Sequence, residues 1–228
     1  MSQLSPIEAS QLQRVFWIAY CFDKDFSLRF EQPPIINDID MDVDLPDTMS
    51  DSELSLTSTV LASNVNYFHL RIDLALIQSK AYVELYSVPA LKLSETQKLP
   101  AVQRLDRLLQ DWKNNLPIEL HPDNLTTTVI PFPIIYIVSL HLLYFNCLTT
   151  VHRVSFQDHM WAKAIIRDNP EIIKPEHHQI CHSALRCIEA ARASMRLMKL
   201  VPQGDFAGTW YVELLILLYV ERLLTTCF

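Results

Sequence analysis

Glycine is nearly missing: among 228 residues only Gly204 and Gly208 occur. Hairpin turns that need φ > 0 and glycine-rich loops that cradle phosphate are thereby almost excluded on steric grounds. The five cysteines, Cys21, Cys147, Cys181, Cys187 and Cys227, are an odd number with no C-x-x-C pair among them. Such spacing fits a reduced, intracellular protein better than a disulfide framework. No alternating apolar–polar run marks a strand, no segment repeats, and no low-complexity tract appears. Residues 1–20 place Glu8, Gln11 and Gln13 among apolar positions and lack the charged-then-apolar order of a secretion signal. Positive charge is short as well: 19 Lys and Arg against 26 Asp and Glu leave a net charge of −7. Nonspecific DNA affinity depends on cations displaced by Lys and Arg, so the chain alone is expected to bind DNA poorly.

Apolar residues are plentiful, at 50% of the chain, and prolines number 13. That length and apolar content suit a single domain over 1–228 with a substantial core, punctuated mostly by proline. Two stretches invite comparison with a membrane span. Pro133 to Cys147 contains His141 and Asn146 and is shorter than the ~20 clean residues a crossing requires, so a buried core helix is expected there. Thr209 to Leu224 carries Glu213, Glu221 and Arg222, each costly at mid-bilayer. No membrane partner is expected.

Helical periodicity runs through the chain. Ser5, Pro6 and Glu8 form an N-cap, N1 and capping-box set, after which Leu12, Val15, Phe16, Ala19, Phe22 and Phe26 give one apolar face to about residue 29. Pro33-Pro34 ends that helix. Leu61, Val65, Phe68, Ile72, Leu76 and Val83 mark a second helix, and Val102, Leu105, Leu109, Trp112 and Leu116 a third, stopped by Pro117. A connector over 117–133 leads to the apolar helix at 134–150. A shorter helix is expected between Phe156 and Asp168, a long one from Pro175 to Val201, and a last one from about Phe206. The predicted fold is all-α: an irregular bundle of about six to seven helices.

Between the first two helices lies Asn37-Asp-Ile-Asp-Met-Asp-Val-Asp-Leu-Pro46, with aspartate at every second position. Read as a calcium loop from Asp40, it has Leu45 where the sharp turn needs glycine. A diphosphate–magnesium site wants carboxylates one helical turn apart, which period-two spacing does not supply. In an extended chain alternate residues share a face. The expectation is therefore a Pro-flanked acidic crossover, with Asp38, Asp40, Asp42 and Asp44 towards solvent and Ile39, Met41, Val43 and Leu45 inward. Contact of the acidic face with a basic partner stays open.

His178, Cys181 and His182 share a helix face at spacings that suit zinc. No second ligand pair has matching spacing elsewhere, so exposed histidines with a half-buried Cys are the favoured reading. His141 is expected to be a core histidine with a backbone partner and Cys147 a buried thiol. Arg192, Arg196 and Lys199 read as a solvated basic stripe near a helix C-terminus. Neither G-x-S-x-G nor H-E-x-x-H occurs. No catalytic residue is assigned.

The segment from Arg14 to Pro46 resembles the fungal-specific transcription factor regulatory domain, the middle homology region found downstream of six-cysteine binuclear zinc clusters. Arg14, Trp17, Tyr20, Asp23, Ser27, Pro33, Pro34, Ile36, Asp38, Asp40 and Pro46 fall into the register of its R-x-x-W-x-x-Y-x-x-D-R-x-x-S helix, G-R-P-x-x-I turn and spaced-aspartate loop. Trp112 with Leu116-Pro117 is similar to its W-x-x-x-L-P, His152-Arg153 to its H-R-P, and Cys187 to Arg192 to its C-x-x-A-A-R helix. Lys24 replaces an Arg, Glu31-Gln32 a Gly-Arg pair, and Val154 a Pro. No six-cysteine cluster, basic linker or heptad coiled coil is present, so the chain looks like the C-terminal part of the family's domain. The resemblance implies a nuclear, non-catalytic regulator of transcription that acts through protein partners, self-association or a small-molecule effector. It implies no cofactor in this chain, zinc being held only by the family's N-terminal cluster, through which alone DNA would be reached. Two other readings compete: a soluble all-α enzyme using the Asp-rich run, and a truncated product acting only by association. In the second of these Tyr67, Phe68, Trp210, Tyr211 and Tyr219 are the residues to watch for exposure.

Overall fold

A computed structural model describes residues 5–46, 66–122, 124–125, 134–155 and 175–201. Among the described residues there are six α-helices and no strand, as the periodicity predicts. The helices expected at Phe156–Asp168 and from Phe206 lie outside the described residues.

Helix α1 (Pro6–Phe30) starts on the expected capping box, Ser5 with Glu8, and closes on Glu31 in the left-handed region at φ 56°, ψ 33°. An irregular strap follows to Pro46, interrupted by a 3-10 turn at Asp38–Asp40 whose N-cap is Asn37. Helix α2 (Tyr67–Ala81) is capped by the Asn66 side chain and runs into a π-helical turn, Tyr82–Tyr86. Helix α3 (Val88–Leu91) is a single turn. Helix α4 (Glu95–Asn114) begins seven residues before the apolar repeat at Val102, because the Ser94–Gln97 capping box nucleates it and Pro100 is tolerated within. Helix α5 spans Ile134–Arg153 and α6 Pro175–Met198.

Helix α5 is the axis of the body, with α1, α2, α4 and α6 packed around it. It is the one described helix long and apolar enough to cross a membrane, and 89% of its apolar window is buried inside the protein. Leu28, Leu74, Leu105, Leu109, Val138 and Leu143 belong to the main core around it, and each such side chain contributes roughly 1.5–3 kcal/mol by leaving water. A second cluster joins Trp17, Tyr20 and Cys21 of α1 to Phe68, Ile72 and Ala75 of α2. Tyr67 and Phe68 are not an exposed patch: Phe68 is buried, and Tyr67 packs edge-on against Tyr136.

Helix α1 reverses the usual sidedness of an amphipathic helix. Its apolar stripe faces outward, with Leu12 55%, Val15 62%, Phe22 45%, Phe26 46% and Phe30 49% exposed. The buried side carries Lys24 (1%), Asp25 (3%) and Arg29 (2%) beside Trp17, Tyr20 and Leu28. Phe22, Phe26 and Phe30 stack on one another at 6.1 Å along the outer face.

Candidate functional site

Side chains projecting from the inner face of α1 at steps of three and four residues meet the strap, and they hold it chiefly by its backbone. Trp17 Nε1 and Gln13 Nε2 each donate to the Asp44 carbonyl at 2.8 Å. The Asp23 carboxylate accepts from the amides of Ile35 and Ile36 at 2.8 and 3.0 Å. Lys24 donates to the Ile36 carbonyl, and Ser27 Oγ to that of Gln32 at 2.6 Å. From α2, His69 Nε2 bonds the carbonyl of buried Pro46 at 2.8 Å. Pro33, Pro34 and Pro46 have no amide to satisfy. The strap thus finds helix side chains where a strand would find a ladder.

The strap follows the predicted alternation at five positions and departs from it at Ile39 and Leu45, while Asp38 bonds back to the helices. Met41 and Val43 do pack on the Trp17–Tyr20 cluster, and Asp40, Asp42 and Asp44 do face solvent. Asp38, expected outside, keeps 38% of its side chain exposed yet reaches back to the helices: its carboxylate accepts from Tyr20 Oη at 3.1 Å and Ser79 Oγ at 2.7 Å and pairs with Lys24 Nζ at 3.0 Å. Ile39 and Leu45, expected inside, are 89% and 49% exposed. At Ile39 the cause is the 3-10 turn, which replaces period two by period three, with its Asn37 cap, whose Nδ2 also donates to Asp40 at 2.8 Å; Leu45 lies in the extended run beyond that turn. Burial pushes the Asp38 pKa up, yet the bonds from Ser79, Lys24 and Tyr20 outweigh it and hold the carboxyl below its ordinary value. Tyr20 is raised by burial and by the Asp38 charge, so its proton stays in the bond.

Behind this latch α1 and α2 share a buried polar line. Arg29 pairs with Asp25 at 2.6 Å, Gln78 Nε2 donates to Asp25 at 3.2 Å, and Arg71 donates to Gln78 and to the Cys21 carbonyl. At the end of α1, Glu31 pairs with Arg153 of α5, which also approaches Tyr86 Oη at 3.4 Å. Next to Arg153, His152 Nε2 meets Asp106 of α4 and its Nδ1 meets Ser183 of α6, both at 3.1 Å. That line orders Ser, His and Asp as a hydrolase would, with Ser183 and His152 each 0% exposed. Burial raises the Asp106 pKa, and the His152 bond with the charges of His152 and Arg186 more than reverses this.

Arg14 and Pro34 are half-buried and Pro33 exposed. His141 is a core histidine, its Nε2 on the Leu120 carbonyl at 2.7 Å, and burial raises the Cys147 thiol. Cys181 is half-buried and His182 exposed, its ring 5.9 Å from that of His152; the His178 side chain lies outside the described residues. Among the described residues no group of three or more His, Cys, Asp or Glu is placed to hold a metal ion. Asp25, Arg29, Arg71, Gln78, Ser79, Asp106 and Ser183 escape sequence reasoning. Asp25 with Arg29 at i, i+4 reads as a solvated pair, and only α1's reversed facing buries it.

Residues 2–114 match the fungal specific transcription factor domain, a stretch that takes in α1, the strap and α2 to α4. The chain is 39% identical, over 99% of its length, to an ABC-transporter-regulating transcription factor of Aspergillus fumigatus, of which it covers 25%. This chain belongs to the fungal specific transcription factor domain family. A second relative of the same printed name, from Aspergillus oryzae, is 38% identical over 99% of the chain and 25% of its own length. The Fusaridione A cluster transcription factor of Fusarium heterosporum is 28% identical over 87% of the chain and 36% of its own length. The chain spans about a quarter of the length of the two Aspergillus relatives. No solved structure matches it. Where the family pattern has Gly-Arg this chain has Glu31-Gln32, and the left-handed site that glycine suits is occupied by Glu31, tied down by Arg153.

Proposed function

We propose that this chain is a non-catalytic regulatory domain of a nuclear zinc-cluster transcription factor system, and that it works by docking the outer face of α1 onto an amphipathic helix of such a factor. The chain's relatives are transcription regulators, which supports the regulatory half of the reading. The docking half rests on one observation: seven large apolar residues of α1 are exposed while its Lys24, Asp25 and Arg29 are buried. A helix turned this way gains nothing from its best apolar face until another surface covers it. The relatives, about four times longer, carry polypeptide from which a covering helix can come. DNA is reached only through a zinc cluster on the partner, and this chain needs no cofactor.

The test puts this chain in place of the matching segment of the Aspergillus fumigatus relative and reads a reporter driven by a transporter promoter, the target class that relative's name states. Phe22→Gln with Phe26→Gln is expected to change transcription several-fold with unaltered protein level. Unchanged transcription, from this variant or from deletion of the segment, would overturn the reading.

A further inference from the structure

A cleft of about 220 Å³ opens between the end of α4, the middle of α5 and the outer half of α6. Its apolar wall is Phe145 and Leu148 of α5 with Ala190 and Ala193 of α6, and Tyr144 completes it. Three cations line it, Lys113 of α4 with Arg186 and Arg196 of α6, beside the Glu189 carboxylate, and Asp106 holds Arg186 from outside the lining. In a chain of net charge −7 this clustering of cations runs against the whole. We propose that the cleft binds a small organic carboxylate whose apolar body lies on Phe145 and Leu148 and whose carboxyl group meets the cationic rim.

Size sets the part that is enclosed: a closed cavity of about 150 Å³ holds benzene, so a single ring or a short branched chain bearing one carboxyl fills this cleft. Charge and wall together decide the class. An apolar surface gives inorganic phosphate nothing, and an amine would face three cations. Arg186 is positioned for the exchange. One nitrogen is held by Asp106 at 3.2 Å, while another lies 3.7 Å from Glu189, whose side chain is 66% exposed. A ligand carboxylate can replace Glu189 at small cost, since an exposed pair of this kind contributes little, and leave the Asp106 pair intact. Occupancy would tie α4, α5 and α6 together beside the Asp106–His152–Ser183 line. Its bearing on transcription rests on the regulatory reading above; binding itself does not.

The experiment titrates the intact protein with benzoate, following amide shifts at Ala190 and Ala193 by NMR and the unfolding temperature, with benzylamine and inorganic phosphate as controls. Saturable benzoate binding that weakens about tenfold in Lys113→Gln with Arg196→Gln supports the proposal. Both substituted residues sit at the rim, partly or fully exposed, so circular dichroism should show the fold kept. Absence of saturable binding, equal binding by phosphate or benzylamine, or insensitivity to the double substitution overturns it. If benzoate binds yet the reporter does not respond to α1 substitutions, the site stands and the docking reading falls.

Discussion

Asp38 takes the Tyr20 hydroxyl, the Ser79 hydroxyl and the Lys24 ammonium, and so joins strap, α1 and α2 through one carboxylate. Periodicity does not separate it from Asp42, two repeats further on; only the family register, which takes in Asp38, and the Asn37 cap of the 3-10 turn mark it. Removing its charge leaves Lys24, 1% exposed, with only the more distant Asp23 carboxylate at 3.5 Å. Asp38→Asn should therefore cost about 1–2 kcal/mol in urea unfolding at neutral pH, whereas Asp42→Asn should stay within about 0.5 kcal/mol. The pH dependence has a definite sign. Asp38 and Asp106 both have folded pKa values below their unfolded ones, so their contribution is complete above about pH 4 and is lost as pH falls through the lower folded values. Their contribution to unfolding free energy should fall there, and Asp38→Asn should remove its share of the fall. Tyr20 works in the opposite direction: its stabilisation is present below about pH 10 and lost as pH rises towards its elevated folded value.

The capping box at Ser5–Glu8 forms as its spacing predicts, since it depends only on neighbours, and the apolar repeat from Val102 to Leu116 is buried as expected. The box at Ser94–Gln97, which starts α4 seven residues before that repeat, escaped sequence reasoning. The strap's flanking prolines and its Met41–Val43 inner edge were readable. Which side of α1 meets the body was not, because Lys24, Asp25 and Arg29 become buried only through partners on α2 and in the strap itself. Glu31 illustrates the same dependence on distant residues. Its left-handed backbone costs about 1 kcal/mol relative to glycine, and its carboxylate offsets this by pairing with Arg153. Glu31→Gly should destabilise the protein, yet the same substitution in an Arg153→Met background should stabilise it by about 1 kcal/mol. A double-mutant cycle by chemical denaturation reads both signs.

The body as a whole is built on α5, whose all-round apolar character predicted its central place, and the buried His141 and Asn146 that argued against a membrane span sit inside it. What sequence could not supply was the cleft beside it, since Lys113 and Arg196 meet only after α4 and α6 pack on the same side of α5. The reversed facing of α1 gives the molecule its character: Lys24, Asp25 and Arg29 buried beside Trp17, Tyr20 and Leu28 on one side of that helix and an apolar ladder left outside. Urea unfolding of Phe22→Gln with Phe26→Gln tests this most directly, with Leu28→Ala, at 1% exposure, as the buried comparison. The account predicts that the double Phe variant loses no more than about 1.5 kcal/mol while Leu28→Ala loses about 2–5 kcal/mol. A loss of about 6 kcal/mol or more from the two phenylalanines, as two core aromatics would give, would contradict it.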